Sequence, residues 1–113
     1  MKLNLVRFLG PSVVIVGLIA LGAGLSQAES AGGPLFKAKC AACHGADGKG
    51  EVPVGKKLGA RDLSSTEVQG QSDAQLADVV TKGKNKMPKY DGKLTKDQIG
   101  ELVAYFRELG KKN

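Results

Sequence analysis

Cys40-Ala41-Ala42-Cys43-His44 is the stretch that decides the reading of this 113-residue chain. Offsets of three and four residues on a helical turn set both sulfurs and the ring on one side. There the thiols can bond the two vinyl groups of a porphyrin while an imidazole nitrogen reaches its iron. The motif therefore points to one covalently attached haem c, with Cys40 and Cys43 as anchors and His44 as an iron ligand. Other uses of a Cys-x-x-Cys pair fit less well. A closed zinc site takes four ligands of Cys or His type, and the chain holds two Cys and one His. A thioredoxin-like pair calls for a βαβ setting, whereas the residues around this one are rich in Gly and Lys and lack a β-branched run. A two-residue disulfide loop beside a bystander His is the remaining reading.

Outward from the motif, the chain from residue 29 onward reads as three helices and their loops. Pro34 suits a first helical position after Gly32 and Gly33, and Phe36, Cys40, Cys43 and His44 recur at i, i+4, i+7 and i+8. Residues 45–59 hold five glycines and Pro53, a density that predicts a loop passing close to the flat edge of a ligand. Ser72-Asp73-Ala74-Gln75 has the form of a capping box and opens a second helix through Leu76, Val79 and Val80, ended by Gly83. Thr95-Lys96-Asp97-Gln98 opens a third, which places Ile99, Leu102, Val103, Phe106 and Leu109 on one face before Gly110 stops it.

Lys86-Met87-Pro88 lies between those two helices. A residue before proline is pushed toward extended backbone, so the flexible thioether of Met87 sits in a loop from which it can be aimed inward. Met87 is thus the candidate second protein ligand to iron, the alternative being a methionine that fills a gap in the core.

The beginning of the chain predicts export. Lys2 and Arg7 precede an uncharged run over residues 13–25 (VVIVGLIALGAGL), and Ser26-Gln27-Ala28 supplies small residues for cleavage after Ala28. The apolar run is shorter than the roughly 18 to 20 residues that span a bilayer, which favours a cleaved signal over a retained anchor. Residues 1–28 then form the signal peptide and 29–113 a single small domain. A domain of that size is marginal on its own core, and it contains no Trp. A buried porphyrin would supply the missing apolar surface.

Without Lys2 and Arg7, 15 basic side chains face 11 acidic ones, a formal +4. Lys82, Lys84, Lys86, Lys89 and Lys93 fall within twelve residues. They form either a solvated loop or a patch that steers an acidic redox partner. Nucleic acid is a poor fit for an exported chain without aromatic residues interleaved among its cations.

With these features the chain resembles the class I cytochromes c, specifically the short bacterial monohaem carriers. The resemblance covers residues 33–113. It rests on Phe36 four residues ahead of Cys40, on the Cys40–His44 motif, on Met87-Pro88, and on the terminal amphipathic helix preceded by Gly92-Lys93-Leu94-Thr95. It implies an all-α fold, three to four helices wrapped around one covalently bound haem, with Phe36 packed against Leu102, Tyr105 or Phe106 where the first and last helices cross. It implies further that His44 gives its second ring proton to a backbone carbonyl, with Pro53 as the candidate. Arg61 and Lys57 are candidate partners for a propionate, exposed surface cations being the other account of both. The function implied is one-electron transfer between respiratory or photosynthetic complexes by a monomeric periplasmic protein that is not an enzyme. A haem iron with His44 and Met87 as its two protein ligands has no open position for substrate.

Overall fold

The computed structural model describes residues 30–112, together with Gly10 and Gly17. The expected signal peptide, 1–28, and its cleavage point after Ala28 lie outside the described residues apart from those two glycines. Among the described residues six helical segments follow one another: α1 (Gly32–Lys39), α2 (Ala41–His44), α3 (Pro53–Leu58), α4 (Thr66–Gln69), α5 (Asp73–Lys82) and α6 (Lys96–Lys111). Among the described residues there is no strand, only two isolated bridges in the loops that flank Met87 and precede α6.

The two helices expected from capping boxes are present with their caps made. Ser72 Oγ accepts from the Gln75 N–H at 3.1 Å while Gln75 Oε1 accepts from the Ser72 N–H at 2.8 Å. Thr95 and Gln98 repeat the exchange at 3.1 and 2.9 Å. Each box satisfies two of the amides that a helix start leaves open. Gly83 ends α5 as expected, at φ 72°. Gly110 does not end α6, which continues to Lys111. Gly110 has no positive φ; the lack of a Cβ there instead admits the side chain of Gln69.

α6 buries Ile99, Leu102, Val103, Tyr105, Phe106 and Leu109 and crosses α1. Phe36 meets Tyr105 with ring centroids 5.1 Å apart and Phe106 at 6.1 Å, edge on. The helices approach closely because Gly32 lies against the Glu101 carbonyl, where a Cβ would collide. The expected pairing of the first and last helices through Phe36 is the centre of this core, in which Phe36 and Leu102 are fully buried.

The 45–59 stretch departs from the sequence reading. Residues 45–52 are loop, but Pro53–Leu58 is helix α3, with Pro53 at its start. Gly55, which reads locally as a breaker, is helical because its bare Cα packs against the Cys43 carbonyl. Tertiary contact overrides the propensity cost of about 1 kcal/mol that glycine carries in a helix. α4, capped by Ser65, is four residues long and too short to show a period.

Candidate functional site

α1 breaks at Cys40, and the chain resumes as the single turn α2, so both cysteines and His44 stand at one corner of the molecule. The break is local: the Cys43 N–H turns to the Cys40 carbonyl at 3.2 Å, and the His44 N–H reaches the same carbonyl at 3.0 Å. Both thiols are free, Cys40 buried and Cys43 partly so. Burial, and secondarily the neighbouring Cys43, pushes the Cys40 thiol up to about 11.

His44 Nδ1 lies 2.9 Å from the Arg61 carbonyl. A carbonyl only accepts, so Nδ1 carries a proton, which leaves Nε2 as the ring nitrogen available to a metal. This corrects the expectation that Pro53 supplies the acceptor. Pro53 instead opens α3. The 60–63 segment is brought to His44 by Ala60 N–H to Gly55 O and Leu63 N–H to Gly48 O, both 2.8 Å. No local sequence signal marks Arg61, because the contact spans 17 residues and depends on how α3 docks.

Cys40, Cys43, His44 and Met87, all four residues singled out from the sequence, line one cavity of about 370 Å³. Its walls are largely apolar, with Leu63, Val68, Leu76, Val80 and Phe106 contributing from four parts of the chain. Met87 is held by a reciprocal pair of backbone bonds with Lys84, at 3.2 and 2.9 Å, in the loop after α5. Tyr90 also lines the cavity and donates its hydroxyl to the Lys39 carbonyl at 3.0 Å. Burial first, and the two cysteines after it, raise the Tyr90 phenol above its ordinary value, so it remains a donor. Sequence reading did not single out Tyr90, Leu63 or Val68 for the site.

The cations sort themselves. Lys39, Arg61, Lys84 and Lys86 line the cavity, and among the described residues no Asp or Glu does. Lys82 turns away to pair with Asp78 at 2.8 Å. Arg61 is exposed at the mouth, 3.6 Å from Glu67, whereas Lys57 lies on the exposed face of α3 and does not line the cavity.

The residues present fit a c-type haem. Two free thiols and a tautomer-locked imidazole stand on one turn, and a thioether borders the same apolar cavity, which matches the donor set and the apolar enclosure such a group requires.

Comparison with known proteins agrees in kind. The family described as cytochrome c oxidase, cbb3-type, subunit III matches residues 27–106. The chain is similar to cytochrome c6 of Nostoc sp. (strain PCC 7120), 38% identical over 106 residues that cover 88% of this chain and 90% of the relative. It is similar also to cytochrome c6 of Limnospira maxima, 37% identical over 86 residues, covering 74% of this chain and 94% of the relative. Among solved structures, the KustC0563 c-type cytochrome aligns with a TM-score of 0.64 at 31% identity, covering 69% of this chain and 95% of that one.

Proposed function

This chain belongs to the small monohaem class I cytochromes c, haem-bearing electron carriers rather than enzymes, and on that footing we propose which residues hold its haem c and where it works. Cys40 and Cys43 would hold the haem through two thioether bonds, and His44 Nε2 and the Met87 sulfur would be its two protein ligands to iron. The observation that carries this reading is the His44 Nδ1 bond to Arg61 O, which fixes the ring's tautomer and plane beside a cavity that Met87 also lines.

When bound, the haem supplies a one-electron couple, raised in potential by thioether ligation relative to more basic ligands. The protein's own residues do the rest. The His44 ring is held in a fixed plane by its Nδ1 bond, Met87 would deny small molecules the iron, and the apolar walls would keep water from the couple. Lys39, Lys84, Lys86 and Arg61 leave the cavity mouth cationic, which supports a redox partner with an acidic docking surface, met as a monomer. Export by residues 1–28 is supported by their charge and hydropathy pattern, and the periplasm is the compartment proposed, between donor and acceptor complexes of an electron-transport chain.

The test is an optical spectrum of protein recovered from the periplasmic fraction, oxidised, reduced, and reduced under carbon monoxide. A low-spin spectrum with the sulfur-to-iron charge-transfer band is expected, shifting only slowly under excess carbon monoxide, on a polypeptide whose mass begins at Glu29. Met87→Ala should abolish the band, lower the potential and admit carbon monoxide; an unchanged spectrum would remove Met87 from the iron.

A further inference from the structure

The strip that carries Met87 is tied to α5 at both ends. The Gly83 N–H meets the Val79 carbonyl at 2.8 Å, and those of Tyr90 and Asp91 meet the carbonyls of Val80 and Thr81, each at 3.1 Å. None of these ties reaches the corner that bears Cys40 and His44. The Tyr90 hydroxyl does reach it, through its 3.0 Å bond to Lys39 O, 51 residues away in sequence. The acceptor is available because of the break at Cys40. Lys39 ends α1, and the Cys43 N–H that would continue the helical ladder bonds to Cys40 O instead.

We propose that the Tyr90 hydroxyl is a positioning group for Met87, stapling the Met87 strip to α1 one residue before the first anchoring cysteine and so slowing exchange of the thioether for an external ligand. The inference rests on the reading of Met87 as an iron ligand. For an external ligand to enter, the sulfur must withdraw and the strip must move away from the cavity. With the staple in place, that displacement strains or breaks the Tyr90–Lys39 bond as well. The ring alone does not provide this, since a phenyl group fills the same space without a donor.

The experiment mixes ferrous holoprotein, wild type and Tyr90→Phe, with excess carbon monoxide and follows the rate at which Met87 is displaced. Loss of one neutral hydrogen bond predicts a rate about 2- to 10-fold higher in the variant. The sulfur-to-iron band of the ferric form is retained. Thr95→Ala, which removes the N-cap of α6, is the control for a general loss of stability: it lowers the thermal midpoint and leaves the carbon monoxide rate at the wild-type value. An unchanged rate in Tyr90→Phe beside an intact wild-type band overturns the staple alone, and so does a Thr95→Ala rate that rises as much. A wild-type protein that lacks the band overturns Met87 as a ligand, and the staple with it.

Discussion

The α1–α6 crossing is held by apolar burial, whereas the 83–91 strip that carries Met87 is held by hydrogen bonds and a close-packed glycine. At the crossing, Phe36 and Leu102 are fully buried and Tyr105 and Phe106 nearly so. In the strip, Met87 and Tyr90 are half-buried, and Lys84, Asn85, Lys86, Pro88 and Lys89 are exposed. Full burial of a Phe side chain contributes about 1.5–3 kcal/mol. A neutral hydrogen bond contributes about 0.5–1.5 kcal/mol net. The two regions therefore draw on separate sources of stability. Segments with little buried apolar area open at lower free energy than the core, so the Met87 side of the site should open locally while the crossing stays shut.

Phe36→Ala tests the crossing and should have the largest effect on folding. It removes the ring that contacts both Tyr105 and Phe106 and leaves a cavity between α1 and α6, at a cost of about 3–5 kcal/mol. Thermal or denaturant unfolding of the holoprotein measures the loss, while the Met87 spectral signature should persist in whatever fraction remains folded. Were the signature to vanish below the unfolding transition, the two regions would be coupled and the comparison would fail.

Gly83→Ala tests the strip. Gly83 sits at φ 72°, ψ 170°, a region open almost only to glycine, and a Cβ there would stand 2.7 Å from the Met87 carbonyl and 2.9 Å from the Lys89 nitrogen. The strain is about 1–3 kcal/mol, and it falls on the strip itself. The expected outcome is a weakened sulfur-to-iron band and faster carbon monoxide binding, with a smaller change in thermal midpoint than Phe36→Ala produces. A fall in midpoint as large as that of Phe36→Ala, with the band intact, would place Gly83 in the core's account instead.

The same division decides what could be read from the sequence. Capping boxes at Ser72 and Thr95 are local, each complete within four residues, so both helices were legible together with the face of α6 that meets Phe36. Cys40, Cys43 and His44 were marked in the sequence by their spacing and Met87 by Pro88, and the structure brings all four to one cavity. What escaped depends on contacts distant in sequence. The helical state of Gly55 needs the Cys43 carbonyl, the acceptor for His44 is Arg61 rather than Pro53, and Gly110 serves Gln69 rather than a helix end. Tyr90 read as one of a few scattered aromatics; its role comes from a carbonyl 51 residues away that is free only because α1 breaks.

The rim of the cavity provides the smallest expected change in stability and separates steering from structure. Lys84 and Lys86 are exposed and line the cavity mouth, whereas Lys82 is paired with Asp78. Charge reversal to Glu at Lys84 and Lys86 should move folding stability by no more than about 0.5 kcal/mol, as for exposed side chains without a structural partner. It should nevertheless slow electron transfer to an acidic redox protein at low salt and flatten the salt dependence of the rate, because the attraction that speeds encounter is screened over about 10 Å at 0.1 M ionic strength. Lys82→Glu should leave that salt dependence closer to the wild-type value, since Lys82 does not line the cavity. Stopped-flow rates across a salt series compare the variants directly. Equal slopes in wild type and the Lys84/Lys86 variant would make those lysines a solvated loop, and would leave the Met87 strip with the task of holding a ligand and no part in meeting a partner.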